Sequence, residues 1–133
     1  MDCFGAADIL HFQNYRFTDN GNVASHYALV LLPPSIVGYK NNLYCAVITS
    51  RKDTYFSLKL EKDKYICFSR DSFVCFRRRD IESLSDLSKK KQPLGRLNRA
   101  DIKKAFNILK SVLYGAGDTY MTATIIREWK NIR

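Results

Sequence analysis

At 133 residues the chain fits one domain, long enough to bury a core without disulfide staples. Hydrophobic residues make up 46% and aromatics 13%, which excludes a disordered composition; no apolar run approaches the roughly 20 residues of a membrane-spanning helix. The net charge of +9 attracts polyanions, with nucleic acid the first candidate and an acidic protein the second.

Segment 8–17 mixes apolar and polar residues, and Ile9, Phe12, Tyr15 and Phe17 read as inward positions of a strand with a slip or bulge. The run T-D-N-G-N at 18–22 is a turn. Tyr27 to Leu32 is a short, continuous apolar run closed by Pro33-Pro34, the pattern of a buried strand, with His26 at its start. A loop over 33–42 leads to a second apolar strand, Leu43 to Ser50, which ends in Thr49-Ser50. Tyr55 to Leu60 alternates as a half-exposed strand does. A charged turn over 61–64 is followed by a short extended piece, Tyr65 to Phe68, and then by a buried strand, Ser72 to Arg77. Five or six short strands at this spacing predict a small barrel or curled sheet.

The remainder reads as helical. Asn98 caps a helix with Asp101 at its third position. Ile102, Ala105, Phe106, Leu109, Val112 and Leu113 share one face, and Gly115 and Gly117 end the helix. Residues 118–132 suit a second helix with Met121, Ile125, Trp129 and Ile132 on one side.

Four cysteines, Cys3, Cys45, Cys67 and Cys75, form no C-x-x-C pair, and three of them sit in apolar runs as small hydrophobes do. With no signal peptide read before them, a reducing cytoplasm is the expected compartment. Two histidines and no metal-ligand spacing leave no metal or cofactor expected.

The order of segments resembles that of the PemK/MazF family of toxins. A-D-I-L-H-F-Q-N-Y-R-F-T-D at 7–19 resembles an opening strand in which Gly-Asp-Ile/Val leads to Phe-Thr-Asp. H-Y-A-L-V-L-L follows where the family has an Arg-Pro at the head of an apolar strand. A-V-I-T-S resembles the family strand closing in Thr-Ser, and F-S-R-D-S-F-V-C-F at 68–76 resembles the hydrophobic strand before the last helix. P-L-G-R-L-N at 93–98 resembles the Arg-Leu that enters the C-terminal helix. The match spans residues 5–114, and its order and spacing carry it more than any single dipeptide.

The resemblance implies a mostly β chain with C-terminal helices: an SH3-like small barrel with a closing helix over 1–115 and an extension over 116–133. It also implies a homodimer, an acidic antitoxin partner, and metal-independent, sequence-specific cleavage of single-stranded RNA. Such cleavage needs a base for the ribose 2′-OH, donors for the phosphorane and an acid for the leaving 5′-oxygen. His26 stands where the family has its Arg; either it works as acid or base near neutral pH, or it is structural. Thr49 matches the family Thr as a hydroxyl donor, or it is present because Thr favours strands. An Arg and Asp pair found in some members falls on Cys75 and Arg77, so an Arg occupies the carboxylate position and suits phosphorane stabilisation. His26, Thr49 and Arg77 are thus the catalytic candidates.

Ser50, Arg51, Lys52, Arg79, Arg16 and Tyr55 are the RNA-binding candidates. Arg77 and Arg79 share a side of an extended segment, and Tyr39, Tyr44 and Tyr55 are able to stack on bases or to fill core edges. The Lys89-Lys90-Lys91 run reads as a solvated surface. Two further functions stay open: a non-catalytic barrel that binds RNA, an antitoxin or a topoisomerase subunit, and a structural relative that meets only an acidic peptide.

Overall fold

Among the described residues of the computed structural model, seven strands form one antiparallel sheet: β1 (Asp8–Arg16), β2 (Val23–Leu32), β3 (Leu43–Thr49), β4 (Ser57–Leu60), β5 (Ser72–Cys75), β6 (Ile81–Leu84) and β7 (Gly95–Arg96). Helices α1 (Arg99–Leu113) and α2 (Thr119–Lys130) follow. The structure describes residues 4–16, 23–33, 43–50, 56–77, 81–84, 92–113 and 119–132, without the side chains of 13–16, 23–26, 82–84 and 119–121.

The strand path is β4-β5-β3-β2-β1-β7. One edge of β3 is shared by two strands: β5 pairs with Ile48 and Thr49, and β6 pairs with Leu43 to Ala46. That fork lets the sheet curl, and the architecture fits a small β-barrel with two C-terminal helices.

The apolar run of β2 is continuous because both of its faces are buried. Leu29 and Leu31 join a core with Ile9, Ile48, Phe76, Leu109 and Trp129, while Ala28 and Val30 join a second cluster with Phe4, Leu10, Phe12 and Leu43. The first core lies between the sheet and the helices. The register of β1 on β2 shifts between Phe12 and Tyr15, the irregularity expected from the mixed pattern of that segment.

Strand β2 begins at Val23, so His26 occupies an interior register position, opposite Phe12, and not the head of the strand. The residues 65–68 form a turn, closed by Phe68 N–H donating to the Tyr65 carbonyl at 3.1 Å. The pair β6 and β7 adds two strands that the apolar pattern does not announce; β7 is only two residues long and bonds to the start of β1.

Helix α1 is capped as its sequence predicts: the Asn98 side-chain oxygen accepts from Asp101 N–H at 2.8 Å. Ala105, Leu109 and Leu113 are buried, and Lys103, Lys104 and Lys110 are exposed. Gly115 and Gly117 lie outside the described residues. Helix α2 buries Ile125 and Trp129 in the same core, and the Trp129 indole N–H donates to the Leu31 carbonyl at 3.0 Å, fixing the helix to the C-terminal end of β2.

Candidate functional site

A groove of about 310 Å³ opens where β3 ends. Tyr27 comes to it from β2, Ile48, Thr49 and Ser50 from the end of β3, Phe68, Ser69 and Arg70 from the turn before β5, and Ser72 from β5 itself. The antiparallel pairing of β3 with β5 sets this neighbourhood, since Thr49 stands opposite Phe73. Any ligand here meets hydroxyls and one guanidinium on an aromatic and aliphatic base.

The 61–72 segment that forms one wall is braced at several points. The Tyr65 hydroxyl donates to the buried carboxylate of Asp101 at 2.5 Å, and Asn98 N–H donates to the same hydroxyl at 3.1 Å. The wall is thus tied to the first turn of α1. Burial is the main force that pushes the Tyr65 phenol above the ordinary tyrosine range; the Asp101 hydrogen bond and charge add to it, and the Asn98 N–H opposes it. Asp71 accepts from Lys62 N–H at 3.0 Å and meets Lys59 at 3.6 Å. The Lys62 N–H, with help from Lys59, holds the Asp71 carboxyl below its usual range. Ser72 donates to the Arg70 carbonyl at 3.2 Å, which fixes the backbone that presents the Arg70 side chain.

Tyr27 is the hinge between the wall and the sheet. Its hydroxyl donates to the Cys67 carbonyl at 3.3 Å, and its ring meets Phe68 edge-on with centroids 5.0 Å apart. On its other side the His11 imidazole lies 4.9 Å away, centroid to centroid, because His11 and Tyr27 are cross-strand partners. Burial raises the Cys67 thiol above its ordinary value, which keeps it protonated beside the groove.

Of the catalytic candidates, Thr49 lines the groove; the RNA-binding candidate Ser50 lines it next to Thr49, exposed at the strand end. Arg77 is half-buried in the bend after β5, four residues beyond Phe73, and does not line the groove. The side chains of His26 and Arg16 lie outside the described residues, as do Arg51, Lys52, Tyr55, Arg79, Tyr39 and the Lys89 to Lys91 run. Tyr44 is half-buried and packs against the main core.

Sequence reasoning missed Tyr27, Ser69, Arg70, Ser72 and His11. The polar island S-R-D-S between two apolar runs is the signal for the wall residues. His11, which does not line the groove, has no local signal, because only strand pairing brings it against Tyr27. Among the described residues no group of His, Cys, Asp and Glu is arranged to hold a metal ion, and no helix is long and apolar enough to cross a membrane. No model of a known protein family matches the sequence, and no curated protein is significantly similar to it.

Proposed function

We propose that the chain is an RNA-cleaving protein whose groove at the end of β3 takes the sugar-phosphate backbone of single-stranded RNA. The observation that carries this reading is that Thr49, Ser50, Ser69 and Arg70 line one open groove of a chain of net charge +9, with Ser72 holding the Arg70 backbone. Hydroxyl and guanidinium donors are the groups that hold a phosphate and its pentacoordinate transition state. The half-buried Tyr27 ring and the buried Phe68 ring give the groove an aromatic base.

The reading extends to the PemK/MazF family and its SH3-like barrel. One backbone feature supports that extension. Ala7 stands where the family has Gly, and Ala7 has φ of 76°, the left-handed region that favours glycine. An acidic antitoxin, a second copy of the chain and a cytoplasmic setting are the context this membership carries.

In the cleavage step the ribose 2′-OH attacks the adjacent phosphorus while a base takes its proton. The phosphorus–O5′ bond breaks, and an acid protonates the departing 5′-oxygen. The products are a 2′,3′-cyclic phosphate and a 5′-hydroxyl. Thr49 and Arg70 stabilise the phosphorane in this scheme. His26, by its match to the family position, and His11, by its contact with Tyr27, are the two candidate proton carriers.

A second reading, binding of RNA without cleavage, is favoured by one observation. The polar side chains that line the groove are hydroxyls and a guanidinium, and none of them is a ready base at neutral pH. Incubating the protein with mixed RNA in EDTA and mapping the fragment ends separates the two. Cyclic phosphate ends that disappear in Thr49→Val, and in either His26→Ala or His11→Ala, support cleavage. Retained binding with intact RNA at high protein concentration supports the second reading.

A further inference from the structure

Strand β5 alternates between the two faces of the sheet. Val74 joins the main core and Ser72 lines the groove, so Phe73 between them belongs to the opposite face. Phe73 is half-buried, and among the described residues it joins neither apolar cluster. Strand pairing sets it in a row. Lys59 of β4 stands opposite Phe73, and Phe73 stands opposite Thr49 of β3. Leu58, Leu60 and Ile48 point into the core, so Lys59 and Thr49 share the face of Phe73. Side chains paired in this way have Cβ atoms about 4.5–5.5 Å apart. Thr49 also lines the groove, so the row starts at the groove rim. At its far end Lys59 meets Asp71 at 3.6 Å and keeps 53% of its side chain exposed.

We infer that Phe73 stacks a nucleobase of single-stranded RNA, the base next to the phosphate held at Thr49. This subsite rests on the RNA reading of the groove and extends it from the backbone to a base. The rings inside the groove are already engaged. Phe68 is 6% exposed, and the Tyr27 ring lies between Phe68 and His11 with its hydroxyl on the Cys67 carbonyl. Phe73 is the aromatic side chain that strand pairing sets directly beside Thr49. The occupant is a base because the row continues the groove: a hydroxyl, a ring and an ammonium in succession match sugar-phosphate, base and the next phosphate. Every base has a π-face, so this stacking fixes the path of the strand more than its sequence.

The test pairs changes in Phe73 with changes in the RNA. Oligonucleotides carrying one abasic ribose at each position in turn are titrated into the full chain and followed by fluorescence anisotropy. One position is expected to cost about tenfold in affinity. Phe73→Leu is expected to lose about the same factor with the intact strand, and the abasic ribose at that position then costs nothing further. Phe73→Trp keeps a ring and is expected to retain the abasic loss. Circular dichroism reports whether each variant is folded. Photocrosslinking of 5-iodouridine RNA to the native chain, mapped by mass spectrometry, gives a second readout that needs no variant, with Phe73 as the expected adduct. The proposal is overturned, with RNA binding left standing, if the abasic loss is the same in Phe73→Leu as in the native chain. Crosslinks that avoid Phe73 overturn it as well. If the native chain does not bind the intact strand, the groove reading fails and this subsite fails with it.

Discussion

Tyr65 and Asp101, 36 residues apart, meet in a buried hydrogen bond that ties the groove wall to the first turn of α1. Asp101 is 6% exposed, so its carboxylate depends on this donor. Replacing the donor therefore costs more than the net worth of one hydrogen bond. Tyr65→Phe is expected to lower stability at pH 7 by about 1–3 kcal/mol in urea or thermal unfolding.

The same contact sets an alkaline limit. In the unfolded chain Tyr65 loses its proton near pH 10, while in the fold its phenol stays protonated to higher pH. The unfolded state therefore binds fewer protons above that point, and stability falls as pH rises through it. Unfolding free energies measured between pH 8 and pH 11 are expected to fall more steeply in the native chain than in Tyr65→Phe. Equal slopes would show that this phenol does not control the limit.

At the groove, Arg70→Ala is expected to weaken single-stranded RNA binding and to reduce the dependence of log affinity on log salt by about one ion. Thr49→Val keeps the shape and removes a hydroxyl. It is expected to lower cleavage by about 10²-fold or more with a much smaller effect on binding. Fluorescence anisotropy at several salt concentrations, beside a gel assay of cleavage, measures both. An unchanged salt slope in Arg70→Ala would remove Arg70 from the phosphate track.

Ala7→Gly tests the backbone at the entry to β1. An L-residue at φ of 76° is strained, whereas glycine is not. Relief of that strain outweighs both the lost methyl and the greater freedom of the unfolded chain. The variant is expected to gain up to about 1 kcal/mol in stability, the reverse of an ordinary buried Ala→Gly change. A lower melting temperature would count against the strain.

Trp129→Phe keeps an aromatic ring in the core and deletes the indole N–H that meets Leu31. The Leu31 carbonyl is then left without that donor beneath α2. A loss of about 1–3 kcal/mol is expected in denaturant unfolding, with no change in the far-ultraviolet circular dichroism of the folded state. A loss of helical signal instead would mean that this bond is needed for α2 to form.

The sequence by itself determined the parts whose physics is local. The runs of β2 and β3 are buried strands because an apolar stretch too short for a helix, closed by Pro33-Pro34 or by Thr49-Ser50, has few other outcomes. The Asn98 cap and the three- and four-residue spacing of Ile102, Ala105, Phe106 and Leu109 specify α1 for the same reason. Thr49 was legible as a candidate because it ends a strand in a pattern that resembles a family, and it lines the groove. Tertiary structure decided what depends on residues distant in the chain. The β7 dipeptide is a strand because β1 is there to pair with it, and Asp8 confirms the placement by receiving Arg96 across 88 residues at 3.1 Å. His11 comes against Tyr27 through strand pairing, Arg70 comes to the groove through a turn held by Tyr65 and Asp101, and no periodicity encodes either. The row of Lys59, Phe73 and Thr49 likewise exists only once β4, β5 and β3 pair. A local pattern sets which face of an element is apolar, but only the packing of elements determines which part of that face stays open.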